Sequence, residues 1–280
     1  MTAAEAGAPG AAGEGAGERT VTAGVVIIGN EILSGRTKDA NLAFLGERLN
    51  ALGVRLMEGR VVADLEAAIV EAVNTLRARY DYVFTTGGIG PTHDDITVDC
   101  VAAAFGRPVV VHPDARRLLE AHYGADINEA RMRMARAPEG ASLVDNPVSI
   151  APGLKIENVY VLAGIPRIMQ AQFDSLAHEL VGGRPLLSRS FPVAVPESVI
   201  APGLTALQAR FSKVEMGSYP FQRGGRFGTS LVLRATDPAL LDQAEAELQL
   251  LLQELRAERL PEPTAPGGAG AGAEADGETV

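Results

Sequence analysis

The 280-residue sequence has few of the features that would tie it to an oxidising compartment. It contains one cysteine, Cys100, so no disulfide can form within the chain, which suits a reducing cytoplasm. Cys100 lies in a helical pattern with Val101 and Phe105, which indicates a buried structural thiol rather than a nucleophile. We therefore expect a cytoplasmic protein.

Long apolar runs and an excess of basic residues are also missing. No apolar stretch approaches the ~20 residues needed to span a membrane, and residues 1–20 lack the basic and apolar regions of a signal peptide. The net charge is −10, and much of it lies in the terminal segments. Because nothing basic attracts a polyanion, we expect no nucleic-acid partner and no membrane partner. An anionic ligand would need a cation or local arginines to offset this negative field.

Several catalytic signatures are absent. His112, His122 and His178 form no metal-ligand spacing. The sequence contains neither a Ser-His-Asp order nor a nucleophile elbow. Its glycine-rich stretch is not a Walker A loop, because no Lys-Ser/Thr pair follows the last glycine, and it is not a dinucleotide-binding G-x-G-x-x-G.

The chain is organised around that glycine-rich stretch, residues 85–97, Thr-Thr-Gly-Gly-Ile-Gly-Pro-Thr-His-Asp-Asp-Ile-Thr. A buried strand is predicted before it and a helix after it. Such a turn presents backbone N–H groups to a phosphate, which glycines allow to approach closely. Asp94 and Asp95 would repel the phosphate unless a divalent cation lay between them. The simpler alternative is a tight turn with a capping aspartate.

The apolar periodicity predicts an α/β fold with a doubly wound, mostly parallel sheet over residues 21–184. Strands are predicted at 23–28, 54–62, 82–85, 109–111 and 158–163, and helices at 42–52, 64–76, 98–105, 114–123, 128–136 and 166–180. Asp64 is predicted to cap its helix, with a role in the site as the alternative.

Residues 186–258 predict a separate, small α+β module. Its elements should follow the order strand, helix, strand, strand, helix, at 190–195, 203–211, 214–221, 230–236 and from 240 onward. Residues 1–20 and 261–280 are rich in glycine, alanine, proline and glutamate and predict disordered tails.

The loop motif GGIGPTHDDIT, residues 87–97, resembles that of the MoaB/Mog molybdopterin-binding family. In this longer form it resembles still more closely the N-terminal domain of CinA and the molybdopterin-binding-like domain of eukaryotic FAD synthase. The resemblance covers residues 22–182 and implies a MoaB/Mog-like fold.

CinA relatives have Gly-Asp-Glu at positions 29–31, so Asn30 departs from the pattern and removes one carboxylate. They often have lysine at position 93. A role for His93 in ligand binding or proton transfer is therefore the less favoured hypothesis. We expect neither the amidohydrolase activity of full-length CinA nor the adenylyltransferase activity of FAD synthase.

The resemblance also implies a ligand site at the carboxyl ends of the strands, where loops 29–35, 85–97 and 164–166 converge. The expected contacts to substrate or phosphate are Thr86, Gly87, Gly88, Gly90, Thr92, Thr97, Asn41, Asn146, Gly164 and Pro166. Asp94 and Asp95 are expected to be catalytic and, with Glu31, to hold a divalent Mg, Mn or Co ion. Asn41 and Asn146 have simpler alternatives as helix-start and turn residues.

Three functions follow from this resemblance. The first is metal-dependent hydrolysis of a pyrophosphate bond in an ADP-ribose- or FAD-like nucleotide. The second is binding or transfer of molybdopterin or another pterin phosphate. The third is a degenerate, non-catalytic domain, motivated by Asn30. The expected partner is a small-molecule nucleotide or pterin. Whether the protein forms a homo-oligomer is left open by the sequence.

Overall fold

The computed structural model describes residues 19–223 and 225–261, and the chain divides into two compact units between Pro185 and Leu186. The tails predicted at 1–20 and 261–280 lie outside the described residues, apart from Arg19, Thr20 and Pro261. Across the described ranges, no helix combines the length and apolar character needed to cross a membrane.

The first unit alternates strands and helices through most of its length. Its strands are β1 (Val21–Ile28), β2 (Val54–Val62), β3 (Tyr82–Thr86), β4 (Val109–Val111), β5 (Arg136–Pro138), β6 (Ser142–Val144), β7 (Gly153–Ile156) and β8 (Val159–Leu162). Its helices are α1 (Asn30–Leu33), α2 (Asn41–Ala51), α3 (Glu66–Arg79), α4 (Thr97–Ala104), α5 (Pro113–Tyr123), α6 (Glu129–Arg133) and α7 (Pro166–Leu176).

The central sheet has the order β2-β1-β3-β8-β7-β6. The first four strands are parallel, whereas β7 runs antiparallel to both β8 and β6. β4 and β5 form a separate antiparallel pair. The mostly parallel sheet predicted from the sequence is therefore confirmed.

Helices cover both faces of this sheet, as a doubly wound fold requires. Along β1, Val26 and Ile28 pack into a core with α3 and α4, while Val25 and Ile27 pack into another with α2 and α7. Because neighbouring residues on a strand point to opposite faces, a continuous apolar run such as β1 fits only a sheet buried on both sides. This explains why the strand ends, rather than the sheet faces, are free to form a site.

Two local predictions in this unit are wrong. Asp64 does not act as the N-cap of α3, because the helix begins two residues later and Leu65 takes that position. The Asp64 carboxylate instead accepts the Asn30 backbone N–H at 2.8 Å. The predicted helix at 128–136 is shorter, since it ends at Arg133 and Arg136–Pro138 pair with β4 as strand β5.

The second unit has the predicted order of elements. They are β9 (Leu187–Val193), α8 (Glu197–Arg210), β10 (Glu215–Arg223), β11 (Arg226–Ala235) and α9 (Pro238–Glu254). The antiparallel sheet has the order β10-β11-β9 and shares one apolar core with both helices. α8 begins earlier than predicted and continues through Pro202. Burial of Ile200, Leu204 and Leu207 along one face offsets the backbone hydrogen bond that proline cannot make.

Candidate functional site

The glycine-rich loop is held by hydrogen bonds at its base. The Gly87 N–H donates to the Leu162 carbonyl at 3.1 Å. The Thr97 hydroxyl donates to the Gly87 carbonyl at 2.9 Å, and its N–H donates to the Gly88 carbonyl at 3.0 Å. Because the Gly87 N–H is used inside the fold, an anion would be bound by the following N–H groups, from Gly88 to Gly90.

The ends of three strands meet closely at this loop, where Gly87 has no room for a side chain and Gly164 has little. A Cβ atom on Gly87 would lie 2.2 Å from the Ile28 carbonyl oxygen, at the end of β1. One on Gly164, after β8, would lie 3.1 Å from the Gly87 Cα. Gly87 and Gly88 also have φ angles of 104° and 66°, which favour glycine. The structure therefore brings together the loops that follow β1, β3 and β8.

A cavity of about 450 Å³ opens beside the glycine loop. It is lined by Glu31, Thr37, Gly87, Gly88, Ile89, Gly90, Pro91, Asp95, Met134, Asn146, Ser149, Ala151, Ala163, Gly164, Ile165, Pro166, Ile168 and Gln172. Its size is typical of small-molecule sites, which reach from about 300 to 1,000 Å³. The glycine loop forms one wall, and isoleucine and methionine side chains make the other walls largely apolar.

A narrow recess of about 50 Å³ lies next to this cavity and shares Glu31, Thr37, Gly164 and Pro166 with its lining. Asn41 and Thr86, both expected to contact the ligand, line the recess. Asn41 is buried, and its Nδ2 donates to the Gly164 carbonyl at 2.9 Å. Within the described chain, its Oδ1 and the Thr86 hydroxyl find no hydrogen-bond partner. A buried polar atom without a partner is costly, so these two atoms are candidates for binding water or ligand.

The other expected ligand contacts divide into two groups. Among the described residues, Gly87, Gly88, Gly90, Asn146, Gly164 and Pro166 belong to the cavity lining, whereas Thr92 and Thr97 do not. Asn146 uses its amide inside its own loop: Oδ1 accepts the Val148 and Ser149 N–H groups, and Nδ2 donates to the Ala151 carbonyl. Asn146 thus has the bonding of a turn residue and also borders the cavity.

The two neighbouring aspartates have different surroundings. Asp95 lines the cavity, and its Oδ2 accepts both the backbone N–H of Thr92, at 2.8 Å, and the Thr92 hydroxyl. Asp94 is exposed and, within the described chain, is not part of the cavity lining. The pKa of Asp94 lies below its usual value, chiefly because the Thr92 hydroxyl is near and then because of the Asp94 backbone N–H and the charge of His93. The geometry therefore distinguishes the pair: among the described residues, hydrogen bonds to Thr92 position Asp95, and Asp95 alone of the two borders the cavity.

The carboxylates fit a divalent cation only together with a phosphate. Within the described ranges, no three His, Cys, Asp or Glu side chains are arranged to hold a metal ion. The cavity nevertheless brings Glu31 and Asp95 to the same space as the glycine loop. One or two carboxylates completed by phosphate oxygens are a usual donor set for Mg²⁺. Asn30 is exposed at the start of α1 and, of the described side chains, is not among those that line the cavity or the recess.

Sequence reasoning missed Gln172, which is completely buried in α7 and lines the cavity. Its Oε1 accepts the Ala163 N–H at 2.9 Å. A signal for it was present, because Gln172 lies in the otherwise apolar stripe of Met169, Phe173 and Leu176. A polar residue on the buried stripe of a helix that follows a site loop is a candidate for a functional role.

Known protein families match both units of the chain. Residues 24–183 match the family described as a probable molybdopterin binding domain, and residues 185–260 match the FAD synthase middle domain. A protein from Aeropyrum pernix is 36% identical over 252 residues, which are 83% of this chain and 91% of that protein. A probable FAD synthase from Caenorhabditis briggsae is 30% identical over 258 residues, covering 82% of this chain and 49% of the relative.

Among solved structures, the protein CinA of unknown function from Thermoplasma acidophilum is 36% identical, with a TM-score of 0.54. The match covers 56% of this chain and 96% of that structure. The family match spans the glycine loop, the cavity and the strands whose ends form it. The chain therefore belongs to the family of probable molybdopterin-binding domains and is related to CinA and to FAD synthase.

Proposed function

We propose that the cavity binds an ADP-ribose- or FAD-like nucleotide and that the protein hydrolyses its pyrophosphate bond with a divalent cation. The observation that carries the proposal is that two carboxylates, Glu31 and Asp95, share one cavity with the glycine loop. A pyrophosphate bound there would supply additional oxygen ligands that a hard cation needs. The relationship to FAD synthase supports the choice of a nucleotide.

The chain's own residues have distinct tasks in this reaction. The N–H groups from Gly88 to Gly90 bind the phosphate oxygens, and Thr92 keeps the Asp95 carboxylate in position. Glu31 and Asp95 would hold Mg²⁺, Mn²⁺ or Co²⁺ against the pyrophosphate. Such a cation, when bound, neutralises phosphate charge and lowers the pKa of water.

The recess is our candidate for the position of the attacking water. Its volume of about 50 Å³ is large enough to hold at least one water. Asn41 Oδ1 can accept a hydrogen bond from such a water, and the Thr86 hydroxyl can donate one to it. Glu31 borders both the recess and the cavity, which supports a path for the water toward the phosphorus.

The first test is release of AMP from ADP-ribose and from FAD, followed by chromatography with Mg²⁺, Mn²⁺, Co²⁺ or a chelator. We expect metal-dependent release that falls at least about a hundredfold in Glu31→Gln and Asp95→Asn, equivalent to about 2.7 kcal/mol of transition-state stabilisation. Because both changes preserve size, urea unfolding should differ from wild type by less than about 1 kcal/mol. Asp94→Asn should lose less activity, because Asp94 is exposed.

Asp174→Asn is the matched control, because this exposed carboxylate pairs with Arg48 on the protein surface. It should keep wild-type activity. If wild type releases no AMP with any metal, the hydrolase proposal fails. If wild type is active and both Glu31→Gln and Asp95→Asn match it, these carboxylates are structural and the assigned cation site is wrong.

A second candidate is binding of a pterin phosphate, which the family match over residues 24–183 favours. The glycine loop would then bind the single phosphate, and the apolar walls would take the pterin ring. Thermal shift with a pterin phosphate and with ADP-ribose, each with and without Mg²⁺, separates the two candidates. Stabilisation by ADP-ribose that requires the metal supports hydrolysis, whereas a response to the pterin alone supports the second candidate.

A further inference from the structure

Gln172 has one half of its amide bonded inside the fold and the other half unpaired. Its Oε1 accepts the Ala163 N–H at the end of β8, which fixes which way the amide is turned. Its Nε2 finds no hydrogen-bond acceptor within the part of the chain that the structure describes. The side chain is 0% exposed, yet it borders the cavity. Since burial without a partner disfavours a polar group, this N–H₂ group suits an acceptor that a ligand brings.

Gln208 in α8 shows what a purely structural glutamine looks like in the same protein. Its Nε2 donates to the Phe211 and Val214 carbonyls at 3.2 and 2.8 Å, and its Oε1 accepts the Met216 N–H at 3.0 Å. Both halves of that amide are therefore used by the backbone. Gln172 makes the equivalent bond only through its oxygen, and its donor has no partner among the described residues although the side chain borders the cavity.

We propose that Gln172 is a specificity-determining residue that donates a hydrogen bond to the ring of the bound ligand. This inference rests on the proposed function and adds a requirement to it: the ring must carry an acceptor, such as a carbonyl oxygen or an unprotonated ring nitrogen. Adenine, flavin and pterin rings meet this requirement. The glycine loop would provide affinity for any pyrophosphate, whereas Gln172 would favour pyrophosphates attached to such a ring. A site built to donate to a ligand discriminates strongly against ligands that leave its donor unpaired.

Two variants separate ligand recognition from the structural role. Gln172→Glu keeps an oxygen that accepts the Ala163 N–H but removes the N–H₂ donor. Gln172→Met removes both and preserves the length of the side chain. Gln208→Met is the matched control, because it breaks the bonds of a glutamine in the other unit.

The measurement is isothermal titration in Mg²⁺ with two probes that share a P–C–P group and cannot be cleaved there. α,β-Methylene-ADP carries an adenine ring, whereas methylenediphosphonate carries none. We expect Gln172→Met to bind α,β-methylene-ADP at least roughly tenfold more weakly and methylenediphosphonate as wild type does. The added carboxylate of Gln172→Glu repels both anionic probes, so for that variant the preference for α,β-methylene-ADP over methylenediphosphonate should fall at least roughly tenfold. Gln208→Met should bind both probes normally.

The possible failures are distinguishable. If wild type binds both probes and Gln172→Glu keeps the wild-type ratio of the two affinities, the amide is a structural anchor and the inference is overturned, while the proposed function stands. Wild type that binds both probes with equal affinity would also overturn it, because the ring then contributes nothing. If wild type binds neither probe, the proposed nucleotide site itself is wrong. Should Gln172→Met not fold, the Glu variant alone decides.

Discussion

Gly87 has no room for a side chain, and the lack of one allows the ends of β1 and β3 to lie close together. Its φ of 104° is unfavourable for any other residue, and a Cβ would collide with the Ile28 carbonyl. Gly140 also has a positive φ, 84°, but a Cβ atom added there would meet no heavy atom within 4 Å among the described residues beyond its chain neighbours. Alanine substitutions at the two glycines therefore separate the cost of backbone strain, present at both, from the cost of steric collision, present only at Gly87.

We predict that Gly87→Ala lowers the free energy of unfolding by at least about 3 kcal/mol, because strain and collision add. Gly140→Ala should lower it by about 1 kcal/mol, from backbone strain alone. Urea unfolding of the two variants beside wild type provides the values. Similar losses in both would mean that the loop shifts to accept a side chain, and that the meeting of β1 and β3 is looser than the structure indicates.

Cys100 is buried, and burial, with Glu66 and Asp99 adding negative charge, raises the pKa of its thiol to about 11. At pH 8 only roughly one thiol in a thousand would be the reactive thiolate. We predict that iodoacetamide labels the native protein at least about a hundredfold more slowly than the urea-unfolded chain, as measured by mass spectrometry. Rapid labelling of the native state would show that α4 opens readily and that the thiol is available for chemistry.

At the scale of elements, β2 and α3 are joined by a polar cluster around Glu58. Its carboxylate accepts hydrogen bonds from Arg60 at 2.7 Å and from the Tyr80 hydroxyl at 2.8 Å. Arg60 also reaches Glu71 on α3 at 3.1 Å. The Arg60 hydrogen bond, followed by that of Tyr80, lowers the pKa of Glu58 below its ordinary value of 4.5. The cluster therefore depends on the ionised carboxylate.

This shift determines the direction of a pH effect. A lowered pKa in the folded state means that Glu58 stabilises the protein above about pH 4.5, and that this stabilisation is lost as pH falls through the folded-state pKa. We predict that wild type is more stable than Glu58→Gln at pH 7 and that the difference shrinks below pH 4.5. Urea unfolding at several pH values measures it, with Glu120→Gln, in an exposed pair with Arg116, as the control. A difference that does not change with pH would exclude the carboxylate charge as its cause.

Helices and strands could be predicted from the sequence more accurately than contacts between residues that lie far apart along the chain. The parallel sheet was identified from continuous apolar runs such as β1, because a strand buried on both faces has apolar residues at successive positions. The glycine loop was a second signal. Asp64 was misassigned because a cap and a partner for a distant N–H have the same local signal. The orientation of Gln172 could not be predicted, since it depends on the Ala163 N–H brought close by the turn between β8 and α7. Likewise, the sequence predicted the same catalytic and metal-binding roles for the neighbouring Asp94 and Asp95. Of these two, only Asp95 lines the cavity among the described residues.

At the scale of the whole molecule, each unit has a core of its own. The cores of the first unit lie on the two faces of its sheet, and that of the second lies between its three strands and two helices. All the residues that line the cavity, from Glu31 to Gln172, belong to the first unit. The match to the FAD synthase middle domain begins where the second unit begins, near residue 185. These observations make the first unit the expected minimal carrier of the ligand site.

We therefore predict that a fragment of residues 19–185 folds by itself and binds methylenediphosphonate in Mg²⁺ with an affinity within about threefold of the full chain, because neither its cores nor its cavity draw on the second unit. Circular dichroism during urea unfolding tests folding, and isothermal titration tests binding. The Asp95→Asn change made in the fragment is the control, and it should weaken binding by the same factor as in the full chain. A fragment that folds cooperatively but no longer binds would show that the second unit contributes to the site, whereas a fragment that does not fold would show that the first unit depends on the second for stability.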